Sequence, residues 1–249
     1  MSMQRYFIEV AYHGGGMSGF QIQDNAPTVQ SAMIAAFQIF FKKEIELTGS
    51  SRTDAGVHAY QNFFHFDWEG EFDQRVVYNL NALLPASVSI RSVRRVQNGA
   101  HARFDALSRR YLYVVYRKKD PFLMDRGWYY PYDLDKELLQ HMAHHILSNT
   151  YFESFSKRNT QVKTYECKIL SSCWLLGEDV MRYEVEGNRF LRGMVRGLVS
   201  SMLQVARGNR DIDWFYRLFE RVHLLQADFS APPQGLFLEE VRYPVRIFC

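Results

Sequence analysis

Apolar positions along this chain follow a period of two in some stretches and 3.6 in others, and the switches between them mark its elements. Residues 6–12 (YFIEVAY), rich in aromatic and β-branched side chains, predict a first strand that ends before Gly14-Gly15-Gly16. Thr28 is placed to cap a helix running to about Lys43, with Val29, Met33, Phe37 and Phe40 on one face. A short strand over 44–47 enters the loop 49–56, and residues 61–68 alternate so that Phe64, Phe66 and Trp68 share a side. A helix over 73–83 must stop before Pro85, because proline disfavours helical geometry in the residue preceding it. Residues 88–96 read as a further strand.

The second half repeats the theme. Residues 109–117 (RRYLYVVYR) are a strand by composition, and 134–147 form a helix with Leu138, Met142 and Ile146 at core spacing. Residues 168–176 and 180–186 pair around Gly177. A helix over 188–206 ends at Gly208, a C-cap glycine, another covers 213–224, and 237–243 is a last strand. Each half reads as strand, helix, strand, strand with extra helices. The expectation is an α+β protein of two related domains, 1–106 and 107–249, with a loop-lined cleft between them.

Composition narrows the classes. Across 249 residues, 47% hydrophobic and 23% charged side chains exclude a disordered chain. No apolar run approaches the roughly 20 residues of a membrane span, and the first residues lack a signal-peptide core, so a soluble cytoplasmic protein is expected. Three cysteines without C-x-x-C spacing argue against a disulfide framework or a zinc site. Net charge is only +3, but residues 91–119 carry nine Lys and Arg against one acid, Asp105. Arginine outnumbers lysine 22 to 8, a bias suited to planar contacts with phosphates and bases. Clustered arginine with abundant aromatics points toward a nucleic-acid partner.

Three segments could carry chemistry. In Arg52-Thr53-Asp54-Ala55-Gly56-Val57-His58, Asp54 is followed by two small residues that let a substrate approach closely, and Arg52 could hold a carboxylate ionised or reach a phosphate. The plain alternative is an Asx-type turn. Alternation puts Tyr111 and Tyr113 on one sheet face and Leu112 on the other, so a tyrosine could stack on an unpaired base or simply fill the core. Arg189, Arg192 and Arg196 fall at i, i+3 and i+7 of the predicted helix, a phosphate-binding or merely solvated stripe, with Gly193 and Gly197 thinning it. His141 and His145 lack the glutamate of H-E-x-x-H and a third ligand, so they are expected on a solvated face. The pairs Asp133/Asp135 and Asp211/Asp213 read as helix caps. Dinucleotide, Walker and G-x-S-x-G motifs are missing from the sequence.

Taken together, R-T-D-A-G-V-H-A at 52–59 resembles the signature of the tRNA pseudouridine synthases of the TruA family. Further matches follow in order: Tyr12, Gly14, Gly19-Phe-Gln21-Ile-Gln23, Thr28-Val-Gln30, Asn81-Ala-Leu-Leu-Pro85, His101-Ala-Arg103-Phe104, Arg110-Tyr111-Leu-Tyr113, Phe190, Met194-Val-Arg196, Ala231-Pro-Pro233 and Gly235-Leu-Phe-Leu238. The resemblance implies two α/β-sandwich-like domains sharing an extended, mostly antiparallel sheet around a central basic cleft, in a homodimer that uses no cofactor and no metal. It implies isomerisation of uridine in the anticodon stem-loop of tRNA, at positions 38, 39 and 40. By the same resemblance Asp54 is the essential carboxylate, Tyr111 the ring stacked on the target base and Arg196 the partner of the aspartate. Arg52 would displace the target nucleotide, and Leu236 would lie beside the base. His13 and Phe20 depart from the family's usual aspartate and tryptophan, in packing or RNA-facing regions. The rival readings are a catalytically silent RNA-binding protein and a pseudouridine synthase acting on another RNA.

Overall fold

The computed structural model describes residues 2–157, 162–221 and 225–249. Packing groups the chain into two compact units, Met1–Leu107 with Leu238–Cys249, and Ser108–Phe237. The sequence expectation ran the second domain through to residue 249; packing instead groups the last segment with the first unit.

The first unit holds β1 (Met3–Tyr12), α1 (Val29–Phe41), β2 (Thr48–Gly49), β3 (His58–Glu69), α2 (Val76–Leu83) and β4 (Val88–Val96). The pairings β1–β3, β1–β4 and β2–β3 are antiparallel. The short strand lies at 48–49 rather than 44–47, because only Thr48 and Gly49 reach β3, opposite His65 and Phe64. Thr28 does cap α1: its hydroxyl accepts the Ser31 N–H while Ser31 accepts the Thr28 N–H, a reciprocal capping box. The buried face of α1 is Val29, Met33, Ala36 and Phe37, whereas Phe40 is exposed. Four residues on from Phe37 comes Phe41, and it is Phe41 that packs on Trp68 at 4.5 Å, one full turn being nearer 3.6 residues than three. Alternation on β3 sends Phe66 and Trp68 toward Phe37, Phe41 and Phe72, while Phe63 faces Tyr243 with Phe7. Burying one such ring stabilises the fold by about 1.5–3 kcal/mol.

The second unit begins with β5 (Ser108–Tyr116), followed by β6 (Trp128–Tyr129), α3 (Lys136–Leu147), β7 (Ile169–Leu176), β8 (Val180–Gly187), α4 (Met194–Ala206) and α5 (Ile212–Arg217). Strand order is β5-β8-β7, antiparallel, with β6 parallel to β5. Asp135 and Asp211 cap α3 and α5, accepting from Leu138 N and Trp214 N. On α3 the buried positions are Leu139, Met142, Ala143 and Ile146, and α3 packs on β7 and α4; Leu138 is only half-buried. The helix expected over 213–224 spans 212–217, and its expected last three residues lie outside the described ones. The last strand, β9 (Leu236–Arg242), begins in this unit and continues into the first.

The helix expected from 188 begins only at Met194, because Gly193 takes a left-handed backbone with φ of 77°. Here the tertiary environment requires glycine: a Cβ would come within 3.0 Å of the Lys157 side chain and 3.2 Å of Phe229. Arg189 and Arg192 therefore precede the helix, and the expected i, i+3, i+7 arginine stripe does not form. Among the described residues no helix is long and apolar enough to cross a membrane.

Candidate active site and its supports

Asp54 lies half-buried in the loop between β2 and β3, and Arg52 is exposed. A turn closed by the Val57 amide donating to the Asp54 carbonyl at 3.2 Å, with Gly56 at φ of 78°, bends the chain immediately after the carboxylate. Beneath it, Asn62 on β3 is fully buried. Its Nδ2 donates to the Ser51 carbonyl at 2.9 Å and to the Tyr12 hydroxyl at 3.1 Å, and its Oδ1 accepts the Ser51 amide at 3.3 Å. Tyr12 in turn shares a 2.7 Å hydrogen bond with the Thr53 hydroxyl. The segment 14–20 clamps the loop from the side. The Phe20 amide donates to the Thr53 carbonyl at 3.1 Å and the Gly56 amide to the Met17 carbonyl at 3.4 Å. Gly14 approaches so closely that a Cβ there would lie 2.1 Å from the Val57 carbonyl oxygen. Two of the departures from the family pattern, His13 and Phe20, are packing residues: His13 lies 4.3 Å from the His58 ring, and Phe20 stacks on Phe64 at 4.5 Å.

Arg52 also lines a groove of about 740 Å³ in this unit, together with Phe20, Leu47, His101, Arg103 and Phe104. Arg103 and Phe104 stand on a turn after β4. Its neighbour on β3, His65, is almost fully buried, and burial first, then the charges of His101 and Arg5, hold its imidazole down to about 4.

In the second unit, alternation holds on β5. Leu112 and Val114 cluster with Phe237, while Tyr111 meets Phe190 edge-on at 5.1 Å and Tyr113 turns to the segment before β9. The buried Tyr113 hydroxyl donates to the Pro232 carbonyl at 2.8 Å, and burial holds its phenol well above the usual range. Arg196, in the first turn of α4, donates from Nε to the Ala231 carbonyl at 2.6 Å. Leu236 is buried at the start of β9. Arg196 and Leu236 are thus joined through one short segment, 231–236, that Tyr113 ties to β5. Sequence reasoning did not single out Asn62 or Glu186. A lone asparagine inside the aromatic run YQNFFHF was the available signal for the first.

The basic run at 91–119 is partly neutralised within the chain. Arg94 pairs with Glu9 at 3.6 Å, Arg110 with buried Glu186 at 3.3 Å, Lys118 with Asp179 at 3.0 Å, and Arg117 with Asp133. Glu186 also accepts from Ser108 at 2.6 Å. Of the two histidines expected on a solvated face, His141 is exposed, its ring nitrogen hydrogen-bonded to the Tyr216 hydroxyl of α5 at 2.8 Å, whereas His145 is half-buried 4.5 Å from the same ring. The cysteines are free thiols, and burial pushes Cys167 up to about 11. No group of three potential metal ligands occurs among the described residues.

A family model described as tRNA pseudouridine synthase matches residues 142–244. Full-length relatives are more extensive. The chain is 41% identical to a tRNA pseudouridine synthase A from Bacteroides fragilis, covering 100% of both chains. It is 40% identical to the protein of that name from Parabacteroides distasonis, over 99% of this chain and 98% of the relative. A third, from Staphylococcus aureus, is 33% identical over 95% of this chain and 90% of its own.

Proposed function

Because the chain belongs to the tRNA pseudouridine synthase family, we propose that it isomerises uridine to pseudouridine in the anticodon stem-loop of tRNA, with Asp54 as the catalytic carboxylate. The observation that carries this reading is the frame under Asp54: a half-buried carboxylate on a loop held from below by Asn62 on the Ser51 backbone and by Tyr12 on the Thr53 hydroxyl, and from the side by the 14–20 segment. Catalytic groups gain from such preorganisation, since geometry set during folding need not be found during reaction.

The reaction breaks the N1–C1′ glycosidic bond, turns the uracil and joins C5 to C1′. The C5 proton is lost and N1 gains one, so product and substrate are isomers. No electron or phosphoryl group changes hands, and neither a redox nor a nucleotide cofactor is required. The carboxylate serves as nucleophile or as base. Tyr111 stacks on the extruded base, offsetting part of the few kcal/mol that unstacking costs. Arg196 supplies the cation that favours an ionised carboxylate, Arg52 helps displace the target nucleotide, and Leu236 lies beside the base. The two-domain sandwich with a basic cleft, the homodimer and the cytoplasmic location belong to the same reading.

The test is tritium release from an unmodified anticodon stem-loop labelled at uridine C5. The native protein releases tritium, and Asp54→Asn, which nearly keeps shape and removes the charge, does not. Equal release by both proteins rules out the assignment. Binding without release from any tRNA would favour the silent RNA-binding protein.

A further inference from the structure

The turn at 101–105 is built more tightly than an exposed connection needs. Asp105 accepts the His101 amide at 2.7 Å, and His101 Nδ1 accepts the Arg103 amide at 3.1 Å. From β3, His65 Nδ1 accepts the Ala102 amide at 3.2 Å, and the Tyr243 hydroxyl donates to the Ala102 carbonyl at 2.5 Å. Arg5, held by a two-point bond to Asp67, donates to the Ala100 carbonyl at 3.0 Å. What this frame displays is Phe104, 73% exposed, with the His101 ring 4.3 Å away and the Arg103 guanidinium 5.6 Å from its centroid. Single exposed apolar side chains are ordinary. One fixed on a turn of this kind, beside Arg103 and on a groove that Arg52 also lines, calls for a ligand.

We propose that this groove is a nucleotide subsite, in which an unpaired base of the RNA substrate stacks on Phe104 while Arg103 and Arg52 contact its phosphates. Every base has a π-face, and a flat apolar ring beside cations is the standing chemistry for binding unpaired nucleotides. The volume, about 740 Å³, is that of a small-ligand cleft, enough for a nucleotide. Glu44 and Glu46 also line the groove and repel phosphate, so the backbone and the base stacked on Phe104 keep to the arginine side and only neutral ribose hydroxyls approach the glutamates. The inference rests on the reading of the chain as an RNA-modifying enzyme. Phe104 and Arg103 act here as positioning residues for RNA around the reacting uridine.

The experiment uses the full chain with Asp54→Asn to stop turnover, and the anisotropy of a labelled unmodified anticodon stem-loop. Phe104→Ala weakens binding about ten-fold, the loss expected for one stacked base. Phe104→Trp restores affinity to within about three-fold, and its indole fluorescence is quenched as RNA is added. Arg103→Gln lowers the slope of log affinity against log salt by about one. Tyr78→Ala, an equally exposed aromatic on α2, binds like its parent and serves as control. With Asp54 present, the loss from Phe104→Ala falls mainly on KM rather than kcat. Binding by Phe104→Ala within two-fold of its parent, or an unquenched Phe104→Trp, overturns the subsite. The two readings fail separately: tritium release with no effect at Phe104 removes only the subsite, and a Phe104-dependent affinity without tritium release removes only the reaction.

Discussion

Asn62 grips the backbone of Ser51 at two points, its Nδ2 donating to the Ser51 carbonyl at 2.9 Å and its Oδ1 accepting the Ser51 amide at 3.3 Å. The grip lies three residues before Asp54 and is fully buried. Water cannot replace a bond lost there, so the position of the loop depends on this amide.

Asn62→Ala leaves the Ser51 carbonyl and amide without their side-chain partner and opens a small cavity. The expected cost is about 2–4 kcal/mol, read as a lower urea midpoint with an unchanged slope. Turnover falls further than the unfolded fraction accounts for, because the surviving folded molecules carry a looser Asp54 loop. A variant that loses stability but keeps full specific activity would show that the grip serves folding alone.

Gly14→Ala tests the lateral clamp. Its Cβ would lie 2.1 Å from a backbone oxygen of Val57, which cannot swing aside as a side chain end can. Overpacking of this kind costs about 1–3 kcal/mol and pushes the 54–57 turn outward. Thermal melting and tritium release should both decline; melting at the native temperature would mean that the two segments separate without penalty.

Stability should depend on pH through His65. Its imidazole stays neutral in the folded protein until about pH 4, whereas the unfolded chain protonates near 6.5. Between those values the unfolded chain holds a proton that the folded one lacks, so stability is complete above about pH 6.5 and falls as the pH drops toward 4. The loss approaches about 3 kcal/mol at 1.36 kcal/mol per pKa unit, then levels off. His101 and His145, both held low chiefly by burial, act in the same direction. His65→Asn keeps an acceptor for the Ala102 amide and removes the titration, so its denaturation midpoint should fall less steeply from pH 6.5 to 4.5 than that of the native protein.

Arg196→Lys retains a positive charge but loses the Nε–H that bonds the Ala231 carbonyl at 2.6 Å. The cation then has no fixed direction, and the 231–236 segment ahead of Leu236 loses one of its ties. Single-turnover rates should drop about 100-fold, the scale of losing one preorganised electrostatic contact, with the fold intact by circular dichroism. A lysine enzyme as fast as the native one would show that charge alone suffices.

Much of this molecule was legible along the chain. Alternation located β3, composition located β5, the pairing of β7 and β8 was read around Gly177, and the capping roles of Thr28, Asp135 and Asp211 followed from residue type, because caps and pleats are local physics. The signature around Asp54 was likewise a property of consecutive residues. What the sequence alone did not yield depends on groups far apart in the chain. Whether α4 starts at 188 or at 194 turned on the left-handed backbone of Gly193, beside Lys157 and Phe229. Whether Phe40 or Phe41 faced inward turned on where Trp68 stood, and the half-burial of His145 turned on the packing of α3 against α5. At least four of the nine clustered cations found carboxylates elsewhere in the chain, which no count of charge could foresee. Local rules act over a turn or a strand pair, so sequence determined the elements and the chemical groups on offer. Burial, close approach and long-range hydrogen bonds decided which of those groups are anchored and which are presented.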